Sequence, residues 1–146
     1  RDSPRPAPSA MSKTQHTVSW IAQIVSAAIL GQTLFFKFTG APEAVWIFST
    51  LGVEPAGRIF TGVVEAIAVV LLLVPRTAAL GGGVGLGLMG GAILSHLFVL
   101  GIEVQGDGGT LFWMGVLVAI LCTAIVWLRR AELPVVGTRF ASAQRV

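Results

Sequence analysis

The chain has 146 residues, of which 54% are hydrophobic and 12% are charged, and its mean hydropathy is +0.83. Soluble domains carry about 25% charged residues, so this composition excludes an ordinary soluble domain and indicates a protein built for lipid. The net charge is +3, but most basic residues flank apolar stretches, which favours orientation in a membrane over binding of nucleic acid. The single cysteine, Cys122, excludes an intrachain disulfide and a CxxC redox motif.

The two ends of the chain differ in composition from its middle. Residues 1–10 are rich in Pro and Ser, so we predict that 1–16 form a tail that is disordered or foreign to the natural protein, with Met11 as the natural start. Residues 131–146 are polar and predict a cytoplasmic tail. The residues between them, 17–130, are predicted to form one membrane domain.

Four apolar stretches lie within that domain, at about 18–38, 57–75, 77–100 and 110–128. Each approaches or exceeds the roughly 20 residues that cross a bilayer as helix. Helices are required because hydrocarbon leaves unpaired backbone groups unsatisfied. The sequence therefore predicts an all-α, four-helix transmembrane bundle, in which the short turn Pro75-Arg76 makes the second and third helices antiparallel neighbours.

Lys and Arg residues set the predicted orientation. With both termini in the cytoplasm, only Lys37 and Arg58 lie outside, and the other basic residues lie inside. This strong bias predicts a multi-pass membrane protein with both termini in the cytoplasm.

The two outer connections carry local signals of their own. Pro42 and Glu43 can start a short amphipathic helix that Gly52 ends, and this helix would be either a membrane-surface anchor or a lid over a site. The second connection contains Asp107 among glycines, which favours a turn over a calcium loop because too few ligands are present.

Glu65 is the residue that most needs a partner. It lies inside the second apolar stretch, where insertion scales give an acidic residue a cost of about 2.5–3.5 kcal/mol. Lys37 at the end of the first stretch and Arg58, two helical turns before Glu65, are the candidate partners in a structural ion pair. The alternative is an ionisable site for a proton, a quinone or another small ligand.

Further polar residues converge on the same outer half of the predicted bundle. The candidates for a polar pocket or ion pairs are Gln32, Lys37, Arg58, Glu65, His96 and Glu103. Individually, Lys37 and Arg58 also fit headgroup anchors, and His96 also fits a packing histidine. No predicted helix carries paired ligands, so no metal site is expected.

The third apolar stretch is rich in glycine. Its G-x-G-x-x-G match to a dinucleotide fingerprint lacks the strand that should precede it. Spacing by four instead predicts a helix-packing stripe of small residues, which consists of Gly83, Gly87, Gly91 and Ser95.

Several of these segments together resemble the DoxX family of small four-span bacterial membrane proteins. They are FFKFTG, LGVEPAGRIFTGVVE, the Pro-Arg turn and GLMGGAILSHLFVLGIEVQGDGG, and the likeness covers about residues 19–134. The family name is tied to a subunit of a thiosulfate:quinone oxidoreductase. The resemblance therefore implies an accessory role in a quinone-linked redox complex of the bacterial cytoplasmic (inner) membrane, and it transfers no catalytic residue to this chain.

Three functions follow as hypotheses. The first is a subunit of a quinone-linked membrane redox complex that holds no cofactor in this chain, with a quinone or lipid bound near Lys37, Glu65 and His96. The second is a structural or assembly subunit that binds other membrane subunits, or itself, along the glycine stripe. The third is a small transporter or channel, which ranks last because the polar residues fill only the outer half. All three place the chain in a lipid bilayer, and none involves nucleic acid.

Overall fold

The computed structural model describes residues 11–133, which form five α-helices and two short helical turns, with no strand among them. The α-helices are α1 (Lys13–Thr39), α2 (Pro42–Thr50), α3 (Ala56–Leu73), α4 (Ala78–Ser95) and α5 (Thr110–Leu128). A π-helical segment, His96–Leu100, continues α4, and a 3₁₀ turn, Arg130–Glu132, follows α5. The all-α prediction is confirmed for this part of the chain.

The first helix begins earlier than the sequence pattern indicates. Ser12 Oγ accepts a hydrogen bond from the Gln15 backbone N–H, and the Gln15 side chain accepts one from the Ser12 N–H. This capping box starts the helix at Lys13, within the segment predicted to be a tail. Of the predicted tails at 1–16 and 131–146, the parts at 1–10 and 134–146 lie outside the described residues.

The turn between α3 and α4 is longer than predicted. The residue before a proline avoids the helical region, and Val74 before Pro75 is extended, with φ −93° and ψ 118°. Thr77 then closes the turn, because its hydroxyl donates hydrogen bonds to the carbonyls of Leu71 and Val74. As a result, α3 ends at Leu73 and α4 begins at Ala78.

The four long helices form a ring in which α1 packs on α3 and α5, and α4 packs on the same two helices. Neighbouring helices are antiparallel, as contacts at both ends show. At one end, Arg58 at the start of α3 donates a hydrogen bond to the carbonyl of Lys37 at the end of α1. At the other end, Arg129 after α5 donates to Ser19 near the start of α1. We call the first the ion-pair end (Lys37, Glu65 and His96) and the second the arginine end (Ser19, Pro75 and Arg129).

The outside of the bundle is apolar. Phe60, Phe98 and Trp113 are among the large hydrophobic side chains that are exposed, Phe98 by 80%. Each of the four long helices is long and apolar enough to cross a membrane, counting α4 with its π-helical segment. A continuous apolar exterior is unfavourable in water and suits lipid, which suggests a multi-pass membrane protein.

The predicted short helix between α1 and α3 is present as α2. It begins at Pro42, whose missing N–H costs nothing at a helix start, and it buries Ala44 while Trp46 stays exposed. The π-helical segment also packs against α2, so α2 lies across the ion-pair end of the bundle.

The glycines of α4 that pack within this chain are not those of the predicted stripe. Gly81, Gly82 and Gly85 are buried, and a Cβ atom on Gly81 would lie 2.6 Å from the backbone nitrogen of Leu72. A Cβ on Gly83, Gly87 or Gly91 would meet nothing within 4 Å. The run GGGVGLG places glycine on more than one helix face, and spacing by four alone did not identify the face that contacts α3 and α5.

This difference predicts opposite effects for two matched substitutions. Gly81→Ala should lower the free energy of unfolding by about 1–3 kcal/mol, because its methyl group would overlap the α3 backbone. Gly83→Ala should leave it unchanged or raise it by up to about 1 kcal/mol through helix propensity alone. Thermal unfolding in mild detergent, followed by circular dichroism, measures both, and equal effects would contradict this packing.

Candidate functional site

The ion-pair end is organised by a direct contact between α1 and α3. Lys37 Nζ lies 2.8 Å from Glu65 Oε2, and the two side chains are 16% and 4% exposed. Lys37 occupies the last turn of α1, where the helix dipole favours a cation. Of the two partners that the sequence offered to Glu65, the structure selects Lys37.

Arg58 pairs with Glu54, in the connection before α3, and not with Glu65. Its Nε donates to both carboxylate oxygens of Glu54, at 2.9 and 3.0 Å, and its Nη2 lies 2.8 Å from Glu54 Oε1. Its Nη1 donates to the Lys37 carbonyl, one of the acceptors that the end of α1 leaves without a helical partner. Gly40, in the left-handed region with φ 67°, ends α1 beside the same guanidinium. Arg58 therefore fastens the chain segment between α1 and α3.

His96 is buried but points to a different set of partners. It is 6% exposed, its Nδ1 lies 2.8 Å from the Gly101 carbonyl oxygen, and its ring packs edge-on against Phe112 at 5.7 Å. Because a carbonyl only accepts, Nδ1 carries a proton in this contact. No hydrogen bond joins His96 to Lys37 or Glu65 in the described part of the chain. His96 thus closes the π-helical segment onto the start of α5.

Asp107 caps the start of α5. Its carboxylate accepts hydrogen bonds from the backbone N–H groups of Val104, Gly109 and Leu111 at 2.8–2.9 Å. Desolvation alone would raise the pKa of Asp107, but these hydrogen bonds, with a smaller effect of His96, hold it below the ordinary value of 3.8. The predicted glycine-rich turn is therefore a helix cap.

Two predicted site residues lie apart from this arrangement. Gln32 and Glu103 are exposed, and neither forms a side-chain hydrogen bond within residues 11–133. Ser95 donates to the Gly91 carbonyl of its own helix. Across the same residues, no group of His, Cys, Asp and Glu side chains could hold a metal ion.

The arginine end contains a buried polar cluster that the sequence analysis missed. Arg129 is 3% exposed, and its Nε donates to Ser19 Oγ at 2.6 Å. Its Nη1 donates to the Pro75 carbonyl at 3.1 Å and to Glu132 at 2.9 Å. Gln23 donates to Ser19 Oγ at 2.8 Å, so one hydroxyl joins both side chains. The sequence did contain one indication of this cluster. Ser19, Gln23 and Ser26 are separated by four and then three residues, which places all three on one face of α1.

The cluster leaves three buried polar atoms without a partner in the described structure, namely Gln23 Oε1, Ser26 Oγ and Arg129 Nη2. Each such atom costs about 1–3 kcal/mol when it stays unsatisfied. A tightly packed membrane bundle keeps such groups when they have a role or an additional bound partner.

Open apolar grooves lie on the surface formed by residues 11–133. One, of about 470 Å³, runs along α5 beside Ile120 and Trp127, and the other, of about 350 Å³, runs along α3 beside Val63 and Ile67. Neither includes Glu65, His96 or Arg129 in its lining. Their lining suits acyl chains better than a polar substrate.

Comparisons with protein-family models, with curated proteins and with solved structures found no match to this chain. Functional inference therefore rests on the residues and contacts described above. Those contacts divide the polar residues into an ion-pair end that bridges α1 and α3 and an arginine end that bridges α1, α5 and the turn after α3.

Removing one partner of the Lys37–Glu65 pair should destabilise the bundle more than removing both. Lys37→Ala leaves Glu65 charged and buried, and we expect the free energy of unfolding to fall by about 3 kcal/mol. The double variant Lys37→Met/Glu65→Leu replaces the pair by apolar side chains and should recover all but about 1 kcal/mol. Thermal unfolding in detergent measures the difference, with exposed Glu103→Gln as the control. A double variant less stable than Lys37→Ala would contradict the pairing.

The Asp107 cap predicts a defined pH dependence. Since the folded pKa lies below the unfolded one, the stabilisation that the carboxylate gives is complete above the ordinary pKa. It is lost as the pH falls through the folded value. The amide NMR signal of Leu111 in micelles should therefore titrate with a midpoint below 3.8. Asp107→Asn should abolish that titration, Glu103→Gln should leave it in place, and a midpoint above 3.8 would show that the cap is absent.

Proposed function

We propose that the chain is an integral membrane protein that serves as a cofactor-free subunit of a quinone-linked redox complex. The apolar exterior of four membrane-length helices supports the membrane location. The resemblance to the DoxX family supports the redox association. The observation that carries the proposal is the Lys37–Glu65 pair, an ionised donor and acceptor held inside an apolar helix end.

Lys37 is suited to bind a quinone carbonyl. An ammonium has three N–H groups, and within residues 11–133 only one of them is used, by Glu65. The Lys37 side chain keeps 16% of its surface, so a flat polar headgroup can reach it from the lipid side. Glu65 holds the lysine charged and in place, and any redox cofactor belongs to a partner subunit.

The proposed orientation places the arginine end in the cytoplasm of a bacterium. Of the described charged residues, that end carries four basic and one acidic, whereas the ion-pair end carries two basic and five acidic. Cytoplasmic ends of membrane proteins are enriched in Lys and Arg. The quinone contact would then lie in the outer half of the membrane.

A role in assembly is the second candidate, and a separate observation favours it. Gly83, Gly87 and Gly91 leave open space on α4, since a Cβ on any of them would meet nothing within 4 Å among the described residues. Glycines spaced by four allow the backbone of a second helix to approach closely. In this alternative, a neighbouring subunit or a second copy packs along that face, and the ion pair only stabilises the fold.

One set of variants separates the two candidates. In the redox role, the double variant Lys37→Met/Glu65→Leu stays folded but loses the donor to the quinone. We expect roughly a ten- to hundredfold lower quinone affinity, the loss of one charged hydrogen bond. Gentle-detergent purification, mass spectrometry of the intact assembly and quantification of extracted quinone measure this, with Glu103→Gln as the control.

Each candidate has its own decisive outcome. Unchanged quinone content in the double variant, or no quinone in the wild-type assembly, would overturn the redox role. Loss of partner subunits in Gly87→Leu, with bound quinone absent throughout, would support the assembly role instead. Retention of every partner in Gly87→Leu would overturn the assembly role.

A further inference from the structure

The interior face of α1 carries a row of mostly polar residues beside the buried Ala22 and Ala27. The residues of this row follow each other at intervals of four and three, which keeps them on one side of the helix. In order from the arginine end they are Ser19, Gln23, Ser26, Leu30, Thr33 and Lys37. The first four are at most 1% exposed, and only Leu30 is apolar. An apolar core would normally occupy these positions in a helix bundle.

Within the described structure, the buried polar atoms that lack a hydrogen-bond partner all lie on or next to the part of this face nearest the arginine end. Ser19 Oγ accepts from both Arg129 Nε, at 2.6 Å, and Gln23 Nε2, at 2.8 Å, so it lies between the two groups. The second terminal atoms of these groups, Arg129 Nη2 and Gln23 Oε1, have no partner in the described structure. Arg129 Nη2 is a donor and Gln23 Oε1 is an acceptor. Each is bonded to the same carbon as the nitrogen atom that donates to Ser19 Oγ.

Ser26 extends the set by one helical turn. Its hydroxyl is fully buried, and it lies beside the Cys122 thiol with no oxygen or nitrogen partner among residues 11–133. The Arg129 donor, the Gln23 acceptor and the Ser26 hydroxyl thus follow each other from the arginine end towards the middle of the bundle. Water is the ligand that satisfies such a mixed set, because it donates and accepts hydrogen bonds and needs two to four polar partners.

We propose that Arg129, Gln23 and Ser26 hold a chain of water molecules that enters at the arginine end and stops at Leu30. Glu132, which is one-third exposed, pairs with Arg129 at the surface and marks the entrance. Protons can reach the middle of the bundle along such a chain. The part of the bundle between the arginine end and Leu30 then acts as a half-channel that protons can enter.

Leu30 forms the barrier between the two polar halves. It is 1% exposed, and its Cδ1 lies 3.9 Å from the position of a Cβ on Gly85. On its other side, Thr33 donates to the Leu30 carbonyl, and Lys37 follows one turn later with Glu65. A single apolar side chain in a polar path keeps out water as hydrophobic gates do. This inference does not rest on the proposed quinone role.

The only cysteine provides a native reporter. Cys122 is fully buried, its Sγ lies 2.8 Å from the position of a Cβ on Gly85, and its thiol lies beside the Ser26 hydroxyl. The infrared S–H band is free of other protein absorption and shifts when deuterium replaces the proton. Exchange in D₂O therefore reports whether water reaches the inner end of the proposed chain.

We expect the Cys122 S–H of the folded wild-type protein to exchange much faster than the most protected core amides. Ser26→Ala and Gln23→Leu should each slow this exchange at least tenfold, whereas Ser95→Ala, a matched serine outside the path, should not. A wild-type S–H band as protected as the core amides would overturn the proposal, and this measurement needs no variant. Variants that exchange at the wild-type rate would also overturn it.

Proton flux tests the barrier separately. In liposomes that contain only this protein and a trapped pH dye, the wild type should leak little more than empty liposomes. Leu30→Ser should raise the flux severalfold by joining the water chain to the ion-pair end, and Leu30→Ile should not. Equal flux in the two variants would overturn the assignment of Leu30 as the barrier. Neither experiment uses a quinone, so its failure is distinguishable from failure of the redox role.

Discussion

The structure depends on one constraint: polar side chains within an apolar bundle must find their partners inside it. Large hydrophobic side chains cover the exterior of the four long helices, which suggests a lipid environment that would supply no hydrogen bonds there. Glu65 meets this constraint through Lys37, Asp107 through three backbone N–H groups, and Arg129 through Ser19, Pro75 and Glu132. The Lys37–Glu65 pair and the Arg129 contacts also join distant segments of the chain, whereas Asp107 caps α5 locally.

Helix α1 is where these solutions meet. It contributes Lys37 to the ion-pair end and Ser19 to the arginine end, and it packs on both α3 and α5. The two ends differ chemically. At the ion-pair end the charges are matched side chain to side chain, whereas the arginine end leaves a donor and two further polar atoms free in the described structure. The first arrangement suits a contact with a polar headgroup, and the second suits bound water.

The helices were predictable from sequence because apolar length and flanking charge determine them almost alone. The short helix α2 was predictable for a similar reason, since Pro42 is a strong start signal. The face of α4 that packs inward was not, because glycine lies on several faces of that helix and only the positions of Leu72 and Cys122 decide among them. Likewise, Glu65 required a basic partner, but the choice of Lys37 followed from the pairing of Arg58 with Glu54. Arg129 looked like an ordinary charge at a helix end, but its guanidinium contacts two distant segments, at Ser19 and Pro75.

The most direct test of this account is the sidedness of its two ends in a membrane. In a Cys122→Ala background, single cysteines replace Glu43 near the ion-pair end, Arg76 near the arginine end, and Val63 on the apolar exterior. A membrane-impermeant thiol reagent is then applied to vesicles of known orientation. The account predicts that the two end positions are labelled from opposite sides and that position 63 is not labelled from either. Labelling of both ends from one side, or labelling at position 63, would contradict a bundle that crosses the membrane.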